Sequence, residues 1–237
     1  LVNLLPLHEG ERVTAVLPLN HKQDGGYVFM VTRQGITKKC LLESFSRPRS
    51  VGLIAVDLAE GDELAEVGLT DGDSQILLFS SAGKGIRFSE DQVRPMGRTA
   101  RGVRGISLKH GQAVISMLIT NSKGIEQKAL VATESGYGKR TVLSDFPLKN
   151  RGGQGVIAIK VGGRNGPLVG AQLVVDDDDL ILITGGGRLV RMCAGEVSVL
   201  GRNTQGVRLI RLGEDEQLAS VGKVVETEDE EGNTEEP

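Results

Sequence analysis

The chain has 237 residues, 39% of them hydrophobic but only 3% aromatic and none Trp, so any core must be aliphatic. Its two cysteines, Cys40 and Cys193, lie far apart and support neither a disulfide framework nor a zinc site, and no apolar run reaches membrane-spanning length. The formal net charge of −3 conceals a division: ten of the 31 acids but one of the 28 bases fall in 213–237, leaving residues 1–212 with 27 bases against 21 acids, a net of +6.

The 33 glycines against 7 prolines, without a collagen-like period, imply many tight turns between short strands. The first stretch opens on the acidic turn Glu9-Gly10-Glu11 and an expected strand at 13–19. Two further strands, 26–32 and 36–41, flank a turn at Gly35. A basic loop, Arg47-Pro48-Arg49-Ser50-Val51-Gly52, then leads into a fourth strand expected at 53–58.

This pattern returns down the chain. Turn glycines fall at 35, 83, 136 and 187, spaced by 48, 53 and 51. Loop glycines fall at 52, 102, 155 and 206, spaced by 50, 53 and 51. Strand starts at 13, 64, 114, 168 and 218 differ by 51, 50, 54 and 50. Three landmarks thus agree on a repeat of about fifty residues, each unit holding about four strands. One such unit cannot bury its own faces, whereas units stacked around an axis can, which predicts an all-β, propeller-like ring. No segment keeps a helical period, and Pro95 interrupts the stretch 93–96, which argues against a helix there. The fifth strand start, at 218, has no hairpin after it and is expected to supply a closing or exchanged strand. The expected units are 1–52, 53–102, 103–155 and 156–206, with a closing strand in 207–225 and an acidic, disordered tail over 226–237.

Val2-Asn3-Leu4-Leu5-Pro6-Leu7, Glu134-Ser135-Gly136-Tyr137-Gly138-Lys139-Arg140-Thr141 and Gly201-Arg202-Asn203-Thr204-Gln205-Gly206-Val207, together with the acidic end, carry a family resemblance. They resemble the C-terminal domain of the A subunit of bacterial DNA gyrase, in the type IIA topoisomerase family. The resemblance covers essentially the whole chain. It implies a β-pinwheel, a propeller-like ring of four-stranded blades that exchange hairpins, six in the family and about four to five here. It also implies a module that wraps duplex DNA so that the rest of the A subunit, with the B subunit, can supercoil it negatively at the expense of ATP. The family's basic box, Gln-Arg-Arg-Gly-Gly-Lys-Gly, has only a degenerate relative here, Arg151-Gly152-Gly153-Gln154-Gly155, to which no such role is given. The chain starts in mid-pattern and reads as a piece of something longer, and the cytoplasm is the default compartment.

Wrapping DNA without reading bases requires cations repeated along a curved rim. The bases recurring three or four residues after the turns and in the glycine loops are therefore the candidate DNA-binding set: Lys38, Lys39, Arg87, Lys139, Arg140 and Arg191, then Arg47, Arg49, Arg98, Arg101, Arg104, Lys149, Arg151, Arg202 and Arg208. Taken singly, each is equally well a solvated surface charge. Their recurrence favours phosphate contact. Arg outnumbers Lys 17 to 11, which suits phosphate oxygens.

Other signals are weaker. Asp176-Asp177-Asp178-Asp179 falls in a hairpin slot and reads as a polar turn rather than a metal site. Gly138-Lys139-Arg140-Thr141 fails as a phosphate loop, having Thr133 in place of the first glycine. No Ser/His/Asp or Cys/His arrangement appears, so neither catalytic residues nor a cofactor is expected in this stretch. Two alternatives stay open: the C-terminal domain of the topoisomerase IV C subunit, and a propeller-like scaffold for protein partners.

Overall fold

The computed structural model describes residues 13–17, 25–47, 52–120 and 127–224; Arg49 and the acidic segment 226–237 lie outside them. The apolar runs form four antiparallel hairpins: β1 (Tyr27–Thr32) with β2 (Ile36–Leu41), β4 (Gln75–Ser80) with β5 (Lys84–Ser89), β8 (Lys128–Thr133) with β9 (Tyr137–Val142), and β12 (Asp179–Thr184) with β13 (Leu189–Cys193). Each turns on a glycine with φ between +68° and +85°, at 35, 83, 136 and 187, a backbone that side-chain-bearing residues resist.

On one edge of each hairpin lies a longer strand from further along the chain: β3 (Leu64–Thr70), β7 (Val114–Thr120), β11 (Leu168–Val174) and β15 (Leu218–Lys223). These begin at the four positions the repeat predicts. On the opposite edge of the first three hairpins lies a two-residue strand: β6 (Val103–Arg104), β10 (Val156–Ile157) or β14 (Val207–Arg208). Among the described residues there are therefore three four-stranded sheets, ordered β3-β1-β2-β6, β7-β4-β5-β10 and β11-β8-β9-β14, and one three-stranded sheet, β15-β12-β13. The sheets exchange chain. Each two-residue strand leaves the unit that follows and reaches back to cap the hairpin before it.

Two strand expectations are corrected. Of the strand expected at 13–19, the described residues 13–17 form none, and neither do 53–58. By equivalence with β3 and β6 each would need the edge of a hairpin about one repeat upstream, and none of the described hairpins lies there. A strand without an edge to bond has nothing to offset the entropy of extension.

The stack explains the near-continuous apolar runs. Along β4, Ile76 and Leu78 pack toward the first sheet with Phe29 and Val31, while Leu77 and Phe79 pack toward the third with Ala129 and Val131. Both faces of the middle sheets are thus covered. Burying each such side chain contributes roughly 1.5–3 kcal/mol. The inner strands contact one another in sequence, β3 to β7, β7 to β11 and β11 to β15. Side chains also bridge them: Met117 N–H donates to Glu66 Oε2 at 2.5 Å, Ala171 N–H to Ser116 Oγ at 3.0 Å, and Gln172 Nε2 to Val221 O at 3.2 Å.

Candidate nucleic-acid interface

The segments that end in the two-residue strands build the outer edge. Residues 93–104 lie along β2, 146–157 along β5 and 197–208 along β9, each attached first by a parallel bridge (Pro95 to Lys39, Leu148 to Arg87, Val199 to Arg140) and then by its short strand. A left-handed glycine makes this approach possible. A Cβ on Gly155 or Gly206 would stand 2.5 or 2.4 Å from the carbonyl oxygen of Gly85 or Gly138 on the strand being capped. Across these three segments the sequence places eight bases (Arg94, Arg98, Arg101, Arg104, Lys149, Arg151, Arg202, Arg208) and no acid.

Adjacent segments touch. Ser107 N–H donates to Gly153 O at 2.8 Å, and Lys160 N–H to Thr204 O at 2.9 Å. Three arginines a repeat apart carry the same link: Arg98 Nη1 donates to Ile54 O at 3.5 Å, Arg151 Nη1 to Arg104 O at 2.9 Å, and Arg202 Nη1 to Ile157 O at 3.0 Å. Each therefore joins its own segment to the preceding one while remaining half-exposed.

The bases that follow the turns lie elsewhere. Lys39, Arg87 and Arg140 each reach from one hairpin to the short helical turn of the following unit. Lys39 Nζ donates to Glu90 O at 3.1 Å and pairs with Glu90 Oε2 at 3.2 Å. Arg87 Nη1 donates to Leu143 O at 2.8 Å and Phe146 O at 3.3 Å. Arg140 donates from Nε to Val197 O at 2.7 Å and from Nη2 to Gly195 O at 3.1 Å, and pairs with Asp176 at 2.6 Å. Lys38 and Lys139 point to the other side of their strands and into carbonyl cages. Lys38 Nζ bonds Ala55 O at 2.7 Å and also Arg98 O; Lys139 Nζ bonds Gly201 O at 2.6 Å, Arg202 O at 2.5 Å and Thr204 Oγ1 at 3.0 Å. Burial lowers the pKa of both ammonium groups, that of Lys139 to about 8 with help from the nearby Arg202.

The fifteen candidates thus separate physically. Lys38, Lys39, Lys139 and Arg140 are at most 4% exposed. These four are corrected: a phosphate cannot reach them without opening a junction, and their recurrence reflects the joints of the fold. Arg87 is half-buried in the same role. Arg191 is exposed, with Nε donating to Asp179 Oδ2 at 2.8 Å. Arg47, Arg101, Arg104, Lys149 and Arg208 are exposed, while Arg98, Arg151 and Arg202 are half-buried on the edge. Arg101 also pairs with the exposed Asp57 at 3.2 Å.

Sequence reasoning passed over Arg94 and Arg164. Arg94 sits on the first edge segment, one residue before the Pro95 bridge. Arg164 and Arg208 stand 4.6 and 5.5 Å from the ring centroid of Tyr137. Arg208 also donates to the Tyr137 hydroxyl at 3.0 Å, and this bond lowers the phenol's pKa. The basic character of 164 was visible, but its partner lies 27 residues away and no local pattern joins them.

Exchanged-strand sheets stacked through their inner strands, with a cationic outer edge, define a propeller-type binding module. The chain belongs to the family described as DNA gyrase C-terminal domain, beta-propeller, whose model matches residues 26–71, 74–121, 127–174 and 178–224, one hairpin and its inner strand at a time. It is 52% identical to the A subunit of DNA gyrase from Klebsiella oxytoca and 48% identical to that from Escherichia coli K12, each over 231 residues, 98% of this chain. It spans about a quarter of those relatives, 26% of each. Among solved structures, the C-terminal domain of DNA topoisomerase IV matches with a TM-score of 0.86 at 28% identity, covering 94% of this chain and 69% of that one. The DNA gyrase A C-terminal domain matches at 0.84 and 25% identity, covering 94% and 74%.

Proposed function

We propose that this chain binds duplex DNA by its phosphate backbone and holds it curved against the outer edges of its sheets, as the DNA-wrapping part of a gyrase A subunit. The carrying observation is that three edge segments, linked one to the next by backbone hydrogen bonds, hold eight bases and no acid. Electrostatic binding of this kind needs no base contacts, and repeated cations at one radius suit a bent duplex. The contact set under this reading is Arg47, Arg49, Arg98, Arg101, Arg104, Lys149, Arg151, Arg202 and Arg208, with Arg94 and Arg164 added.

Bending a site of 20–30 base pairs costs about 1–6 kcal/mol, which several phosphate contacts offset. Residues 1–225 form the wrapping module, and the acidic 226–237 an appended tail. Neither cofactor nor metal is invoked. In the complete protein the module serves ATP-dependent negative supercoiling in the bacterial cytoplasm, together with the rest of the A subunit and with the B subunit. The gyrase assignment is supported by the matching family model and by identities of 48–52% over 98% of the chain to A subunits of gyrase.

The test is topological. Relaxed closed-circular plasmid is incubated with the chain and a nicking-closing enzyme, then stripped of protein. Wrapping leaves a shifted distribution of linking numbers that grows with protein concentration. An unshifted distribution under conditions where the chain is bound to the plasmid would overturn the wrapping reading.

A further inference from the structure

The edge segments carry apolar side chains as well as bases, and these also recur. Pro95, Leu148 and Val199 occupy one position in the three segments, each making the parallel bridge to the capped hairpin, at Lys39, Arg87 and Arg140. The residue after each donates its N–H to that same hairpin residue: Met96 to Lys39 O, Lys149 to Arg87 O and Leu200 to Arg140 O, all at 2.8 Å. The backbone is pinned at this point, and the side chain before the pin is left in solvent. All three are exposed, Leu148 by 55% and Val199 by 44%. The core is served instead by Val93, Phe146 and Val197, two residues earlier and at most 1% exposed.

Single exposed apolar residues are ordinary on any protein surface. Here three stand at one structural position, and each is followed three residues on by an edge arginine, Arg98, Arg151 or Arg202. The edge therefore repeats an apolar group beside a cation, with no acid on the same segments. The complement of such a surface is a ligand that repeats an apolar face beside an anion. The backbone of a duplex has that pattern, because the C–H faces of its sugars alternate with phosphates.

We propose that Pro95, Leu148 and Val199 pack against the deoxyribose faces of a bound duplex, between phosphates held by the neighbouring bases. The inference rests on the backbone-binding reading above and adds an apolar contact to it. Burial of apolar area does not depend on the counterion release that drives phosphate binding. Every nucleotide of DNA carries the same sugar, so the contact reads no sequence. It gives the complex a share of affinity that salt does not screen.

The test is duplex affinity across a salt series, for the wild-type chain and for Leu148→Ser/Val199→Ser. Pro95 is kept, because its ring also fixes the backbone. The expected result is affinity about tenfold weaker at every salt concentration, with the slope of log K against log salt and the melting temperature both unchanged. Long-chain inorganic polyphosphate, which has phosphates and no sugars, is bound equally by both proteins. Equal duplex affinities, a shallower slope in the variant, or an equal loss of affinity for polyphosphate would each overturn the sugar contact while leaving the phosphate reading in place. A wild-type chain whose duplex affinity does not fall with salt would remove the phosphate reading, and this inference with it.

Discussion

Lys39 Nζ lies 3.2 Å from Glu90 Oε2 with the two side chains 4% and 0% exposed, so an ion pair locks the first sheet to the second. The carboxylate is saturated: Thr70 Oγ1 donates to it at 2.7 Å, and the Gly72 and Ser74 amides at 2.8 Å each. Removing one partner of a buried pair strands the other. Lys39→Met and Glu90→Gln should each cost about 3–5 kcal/mol in urea unfolding, and the double variant less than their sum. Additive losses would show that the two groups do not act together.

Lys139 gives a dependence on alkaline pH. Its folded pKa lies near 8, below the ordinary 10.5, so between these values the unfolded chain binds more protons than the folded one. Stability attributable to this group therefore rises as pH increases from 8 to 10.5. Lys139→Met should lose stability at every pH, because the Gly201 and Arg202 carbonyls lose their donor, and should also lose that increment. The check is chemical denaturation of both proteins across the range. Parallel pH profiles would place the ammonium in solvent instead.

Glu66 predicts the opposite slope. Burial raises its pKa to about 7 from 4.5, against the lowering effect of the Met117 amide. The folded state holds the proton more tightly, so this group's contribution to stability falls as pH rises from 4.5 to 7. Glu66→Gln keeps an acceptor for Met117 and should stabilise the chain above pH 7 by up to about 3 kcal/mol, at roughly 1.4 kcal/mol per pK unit. Thermal melts at pH 5 and pH 8 check it, the gain appearing only at the higher pH.

The strand starts at 64, 114, 168 and 218 and the four turn glycines were legible because the turns before the strands and the left-handed turn glycines recur about every fifty residues. The exchange was not. Val103 and Arg104 pair with Thr37 and Ile36, residues 66 and 68 positions away, and a two-residue strand has too little pattern to name its partner. The joints were misread for a different reason. A lysine held by backbone carbonyls and a lysine in water look alike in a sequence. Yet a signal was present: Lys38-Lys39 and Lys139-Arg140 are consecutive within strands, so their side chains point to opposite faces. In a sheet covered on both faces, neither side offers open solvent.

Edge and joint cations should therefore respond differently to substitution. Arg140→Gln should lower the melting temperature, since it empties bonds to Val197, Gly195 and Asp176. Arg104→Gln, on the exposed edge, should leave melting unchanged and weaken binding to all duplex sequences alike. Loss of affinity for one sequence only would contradict backbone recognition.

The most direct measurement is the salt dependence of duplex affinity for the wild-type chain and for a variant with Arg101, Arg104 and Arg208 all replaced by Gln. If these edge groups meet phosphates, log K falls steeply with log salt in the wild type, and the variant's slope is shallower by about 0.9 for each phosphate no longer neutralised. Equal slopes in two proteins of equal melting temperature would mean that the DNA lies somewhere other than the outer edge.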